Sequence, residues 1–145
     1  MQGDVRVSRY VRASPEATFA AVMDWTGQSR WIPLTATRVL DPTPGVGQRV
    51  VARTGLGPVA FDDPMTVTWW DPPRRCEVIK TGRVVRGTGA FIVEEAPGGS
   101  TFIWEDRVIV PGGPLAPLIW PLGRLVARAS LAWAQRRLAR LVESG

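Results

Sequence analysis

The sequence predicts an α+β fold: a seven-stranded curved antiparallel sheet wrapped around a long C-terminal helix, with two short helices after the first strand. Three observations predict it. Up to residue 110 the chain reads as short runs of alternating apolar and polar residues, punctuated by Gly/Pro turns. From Ala116 to Glu143 the apolar period changes from two to ~3.6. The runs are joined by short connections of hairpin type, which require antiparallel neighbours, and a strongly twisted sheet of this size curls.

Val5, Val7 and Val11 alternate with Arg6, Ser8, Tyr10 and Arg12, giving a first strand with one apolar face. Ser14-Pro15-Glu16 then opens a short helix over Glu16–Trp25, with Ser14 as N-cap and Pro15 at the first helical position. Thr26-Gly27 breaks it, and Gln28–Ile32 gives a further helical turn before Pro33. Thr35–Leu40 and Gln48–Thr54 read as the second and third strands, and Gly55–Pro64 as a Gly/Pro loop carrying Asp62 and Asp63. In Met65–Trp70, the residues Met65, Val67 and Trp69 share one face. Cys76–Thr81, Val84–Glu95 and Thr101–Val110 complete the sheet, and Pro97-Gly98-Gly99 joins the last two as a hairpin. In the final helix Ala127, Leu131, Ala134, Leu138 and Leu141 form one stripe, with Trp120 on it. Leu118–Val126 is apolar almost all round, which predicts burial on more than one side. With no internal repeat and no linker, residues 1–145 read as one domain.

The composition removes several function classes. Of 145 residues none is histidine and one, Cys76, is cysteine. No Ser-His-Asp or Cys-His relay, His-containing zinc site, CxxC motif or internal disulfide is available. Eighteen basic residues outnumber 13 acidic ones for a net charge of +5, and Lys80 is the only lysine. The arginines are scattered rather than clustered, so no nucleic-acid partner is expected. The N-terminal residues lack the apolar core of a signal peptide, and Leu115–Val126 is too short and too interrupted to span a bilayer. A soluble, cytoplasmic protein is expected. Asp62-Asp63 has no further metal ligands nearby in sequence, and Gly45, Gly47, Gly55 and Gly57 make no phosphate loop, so neither metal nor cofactor is expected.

In order along the chain, V-R-A-S-P-E-A-T-F-A-A-V-M-D-W (11–25), S-R-W (29–31), D-P-P-R-R (71–75), G-R-V-V-R-G-T-G-A-F-I-V (82–93), G-G-S-T-F-I-W-E-D (98–106) and the closing helix resemble the START/Bet v1-like (SRPBCC) helix-grip superfamily. The likeness is greatest to its polyketide cyclase/dehydrase and lipid-transport group. The resemblance implies a deep apolar cavity between sheet and helix, but no single chemistry: members include lipid carriers, hormone receptors and aromatase/cyclases.

Two charges fall in apolar registers. Asp106 shares parity with Phe102, Trp104, Val108 and Val110, and Lys80 with Cys76 and Val78. Each is either a polar handle inside an apolar cup or a group near a strand end that reaches water. Gly87 and Gly89 lie on the same face as Phe91 and leave room for close approach. Seven tryptophans suggest aromatic walls. Trp25 and Trp31 flank the expected cavity mouth, while Trp69 and Trp104 occupy inward registers. The expected ligand contacts are Trp31, Trp69, Lys80, Phe91, Trp104, Asp106 and Trp120. No catalytic motif appears; Asp106, Lys80, Tyr10, Arg53 and Glu105 are the available acid/base or charge-stabilising groups. Cys76 reads as an inert core thiol.

Three functions fit: binding or carriage of a hydrophobic small molecule (lipid, quinone or polyketide-like), a polyketide aromatase/cyclase or dehydratase, or a module working at a membrane or partner surface through the last helix. Absence of histidine favours the first. Monomer and homodimer are both compatible with the residues.

Overall fold

The computed structural model describes residues 1–144. Seven strands, β1 (Gln2–Val11), β2 (Thr35–Val39), β3 (Arg49–Thr54), β4 (Phe61–Asp71), β5 (Arg75–Thr81), β6 (Arg86–Ala96) and β7 (Gly99–Ile109), form one antiparallel sheet in the order β1-β7-β6-β5-β4-β3-β2. Helix α1 (Pro15–Val22) and a 3-10 turn (Thr26–Arg30) follow β1, and α2 (Ala116–Glu143, 28 residues) closes the chain. This is the helix-grip arrangement that the sequence predicts.

Local chemistry sets the boundaries. Ser14 accepts a hydrogen bond from the Ala17 N–H at 3.1 Å, Pro15 opens α1, and Thr18, Phe19 and Val22 are buried. In the 3-10 turn Gln28 is buried because its amide is satisfied: it donates to Val22 O at 3.1 Å and accepts from the Thr37 hydroxyl at 3.3 Å. That links the small helices to β2. In the centre, Trp31 packs edge-on against Trp104 and Phe102, with centroids 5.6 and 6.1 Å away, and Phe91 lies 5.5 Å from Trp104.

One β-bulge changes the reading of β4. Val67 pairs with Val78 but Trp69 pairs with Glu77, so one extra residue enters between them. Such an insertion reverses the alternation beyond it. Trp70, opposite buried Cys76, therefore turns inward and packs against Phe19 at 5.6 Å. Trp69, expected on the concave face, is 52% exposed on the outer one.

Helix α2 is fixed at its C-terminal half, where Ala134, Gln135, Leu138 and Ala139 are buried. Gln135 is the anchor: its amide donates to Val7 O at 3.3 Å and Phe102 O at 3.1 Å, tying the helix to β1 and β7. Trp120 packs on β1, where a Cβ at Gly3 would stand 2.5 Å from its ring. The first half departs from expectation. Leu118, Leu122, Leu125 and Val126 are between 58 and 78% exposed, so this segment is buried on one side only. Near-uniform apolarity over Leu118–Val126 hid which face the sheet takes.

Gln135→Leu keeps the volume but strands two buried carbonyls. It should cost about 2 kcal/mol of stability, read as a lower denaturation midpoint at unchanged m-value.

Candidate functional site

Three strands bring three charged side chains to one place. Asp63 lies on β4 two residues before Met65, which pairs with Lys80 of β5. Asp106 of β7 lies opposite Gly89 of β6. The Lys80 ammonium donates to Asp63 Oδ2 at 3.0 Å, with the two side chains only 10 and 11% exposed. Gly89 makes the convergence possible: a Cβ there would stand 2.9 Å from Asp106 Oδ1, 3.2 Å from Val78 and 3.5 Å from the Lys80 stem.

The cluster forms one wall of a cavity of about 330 Å³ between the sheet and α2. Its other walls include Ala52, Met65, Phe91, Trp104, Leu131 and Ala134, and its rim carries exposed Leu34 and Ser130. Asp63 Oδ1, Asp106 Oδ1 and the Trp104 indole N–H are buried without a well-aligned hydrogen bond, the indole lying near enough to Asp106 to favour its ionised form. Buried polar groups are ordinarily paired, so three such atoms beside one cavity point to a binding partner.

The electrostatics follow from burial. Desolvation pushes the Asp106 carboxyl above its ordinary range, Lys80 and the Trp104 indole pull it down, and the charge of Asp63 adds to the upward push. Burial alone would lower Lys80, but Asp106, Asp63 and the hydrogen bond to Asp63 outweigh it, and its pKa is raised. With both acids ionised the cluster carries one excess negative charge; a proton on Asp106 neutralises it.

The sequence-derived candidates divide cleanly. Lys80, Phe91, Trp104 and Asp106 line the cavity. Trp31 is buried in the aromatic core beneath it, not among its lining residues. Trp25 also belongs to the core, donating to Gln48 at 3.2 Å, so neither tryptophan marks a mouth. Trp69 is excluded by the bulge, and Trp120 by its seat on Gly3. Trp69 instead lines an open groove of about 1130 Å³ on the outer face, beside the ion-paired Arg6, Glu105 and Arg75. The remaining acid/base candidates are engaged elsewhere: Tyr10 donates to Pro97 O, Arg53 pairs with Asp62, and Glu105 with Arg6. Cys76 is fully buried, its thiol pushed up to about 12 by desolvation.

Asp63 is the member that sequence reasoning misses. The Gly55–Pro64 segment reads as a loop, yet β4 already begins at Phe61, and Asp62 and Asp63 point to different partners, Arg53 and Lys80. The available signal is parity: Asp63 continues the inward face of Met65 and Val67.

A raised carboxyl pKa means that Asp106 contributes stability below the ordinary carboxyl range, lost as pH rises through its value in the fold. Asp106→Asn removes that penalty while leaving the Lys80–Asp63 pair intact. At pH ~7 it should raise stability by about 1 kcal/mol, a Tm gain of roughly 2–4 °C. The gain should shrink as pH falls toward ~4, measurable by calorimetry across that range.

Comparison with known proteins agrees with this architecture. Residues 2–143 match the family described as "Polyketide cyclase / dehydrase and lipid transport". Among curated proteins none matches the sequence. The fold is similar to that of TTHA0849 from Thermus thermophilus, at TM-score 0.83 and 15% identity over 98% of both chains. It also resembles the di-domain ARO/CYC BexL from the BE-7585A biosynthetic pathway, at TM-score 0.74 and 16% identity over 99% of this chain and 49% of that one. Ara h 8.0201 matches over 100% of both chains, at TM-score 0.72 and 15% identity. The match along nearly all its length makes this chain, with its sheet gripping α2, a member of the polyketide cyclase/dehydrase and lipid-transport family.

Proposed function

We propose that the protein binds or carries a hydrophobic small molecule whose apolar body fills the cavity and whose hydroxyl, enol or phenol end meets the Asp63–Lys80–Asp106 cluster. The observation that carries this reading is the set of buried polar atoms without a well-aligned hydrogen bond, Asp106 Oδ1, Asp63 Oδ1 and the Trp104 N–H, beside otherwise apolar walls. A hydroxyl can donate to a carboxylate and accept from an indole N–H at once. The volume of about 330 Å³ lies near the lower end of the ~300–1,000 Å³ of ligand pockets. That size favours a compact ring system or short chain, polyketide-like or quinol-like, over a two-tailed lipid.

Equilibrium dialysis with 2-naphthol and naphthalene tests it, since the two differ only by the hydroxyl. Wild-type protein should prefer 2-naphthol, and Asp106→Leu should cut its affinity by roughly 10–100-fold while leaving naphthalene unchanged. Equal losses for both probes, or binding of neither, would refute the reading.

A second reading, an acid/base enzyme that closes or dehydrates a poly-β-keto chain, is favoured by the placement of a carboxyl of raised proton affinity beside Lys80 in the cavity. In that reading Asp106 hands a proton to a ketone oxygen. A tri-β-ketothioester should then be converted by the wild type, and Asp106→Asn should lower the rate by ~10²-fold or more with substrate binding retained. Absence of conversion by the wild type leaves carriage as the function.

A further inference from the structure

The face of α2 that points away from the sheet has no partner among the described residues. Leu118, Leu122, Leu125 and Val126 follow the spacing i, i+4, i+7, i+8, which places them on one side of the helix. Trp133, half-exposed, continues that side, diametrically opposite the packed Ala134, Leu138 and Trp120 face. Exposed Leu115 extends it beyond the N-terminal end. A contiguous apolar surface of this kind marks an interaction site rather than scattered surface residues.

The charges along α2 have one sign as far as Val142. From Arg107 to Val142 the sequence has no aspartate or glutamate, and Arg124, Arg128, Arg136, Arg137 and Arg140 all lie on α2. The Arg137 guanidinium sits 5.4 Å from the Trp133 ring centroid and also donates to Arg30 O at 3.0 Å. Not one of these five is in an ion pair among the described residues. A second copy of the same face would bring arginines to arginines with no acid to meet them. An anionic surface is complementary, and an apolar strip flanked by arginine with tryptophan at its edge fits a headgroup layer above acyl chains.

We infer that α2 docks the protein on an anionic lipid surface through Leu118, Leu122, Leu125 and Val126, with the flanking arginines on the headgroups. The choice of lipid over an acidic protein rests on the cavity reading above, because the docking face borders the cavity opening. Val126 lies one turn before Ser130, the exposed rim residue, and Leu34 stands on the same rim. Docking in this pose sets the opening beside the apolar layer from which a hydrophobic ligand partitions. No helix among the described residues is long and apolar enough to cross a membrane, and interfacial seating needs none.

Vesicle sedimentation of the ligand-free protein tests docking separately from ligand binding. The protein should pellet with phosphatidylcholine/phosphatidylglycerol vesicles at low salt, release in part at high salt, and pellet weakly with phosphatidylcholine alone. The triple variant Leu118→Gln, Leu122→Gln, Leu125→Gln touches only exposed positions. It should lose at least about tenfold in vesicle affinity with the wild-type Tm and the wild-type affinity for 2-naphthol. Three results would each overturn the inference: no pelleting with anionic vesicles at low salt, undiminished pelleting of the triple variant, or a wild-type dimer that the variant converts to monomer in light scattering. Loss of 2-naphthol binding by the wild type, with vesicle binding intact, would instead strike the cavity reading.

Discussion

Everything in the concave half of the molecule is arranged around an ammonium held between two carboxylates in an apolar cup. Isolated charges do not survive there, because the cost of removing them from water exceeds what a single neighbour returns. Lys80 is tolerated because Asp63 bonds to it directly and Asp106 adds its field. Asp106 is tolerated because Lys80 partly compensates its burial, and the remaining deficit appears as a raised proton affinity. Remove Lys80 and two carboxylates face each other in the cup with no counter-charge. The side chains come from β4, β5 and β7, so the sheet must have its register correct across four strands before the cluster can form. The missing side chain at Gly89, whose place Asp106 and Lys80 crowd, is the steric side of the same constraint.

This arrangement explains which parts of the sequence were legible. Parity placed Lys80, Phe91, Trp104 and Asp106 on the concave face, because β5, β6 and β7 alternate without interruption through those positions. Parity failed in β4 for two local reasons. Phe61–Pro64 carries turn-forming residues that disguise a strand, which concealed Asp63, and the bulge after Val67 inverted Trp69 and Trp70. Neither is a propensity effect: Pro64 is accommodated by pairing at Val51, and a bulge is specified by packing on both sides of it. The α2 stripe was legible where arginines mark the outer face and illegible where they do not. In Leu118–Val126 a periodic signal was absent, and only the sheet decides which side is covered.

The two halves of α2 thus have different tasks. The C-terminal half is core, held by Leu138, Ala139 and the Gln135 bonds to β1 and β7. The N-terminal half uses one face on Gly3 through Trp120 and presents the other to its surroundings. A helix anchored at one end and lightly packed at the other has its lowest local stability at the free end, beside the opening. Access to the cavity and the integrity of the core are therefore governed by separate sets of contacts along one element.

The position of Lys80 has a consequence for chemistry done to the protein rather than by it. It is the only lysine in the sequence, and the fold confines it to the cavity wall; the only thiol, Cys76, is fully buried. Apart from the N-terminal amine, the folded molecule therefore offers on its outer surface no nitrogen or sulfur nucleophile of the kinds that acylation, ubiquitin-type tagging or alkylation use. Such a mark can be written on Cys76 only after the sheet has opened, so modification there is a record of unfolding.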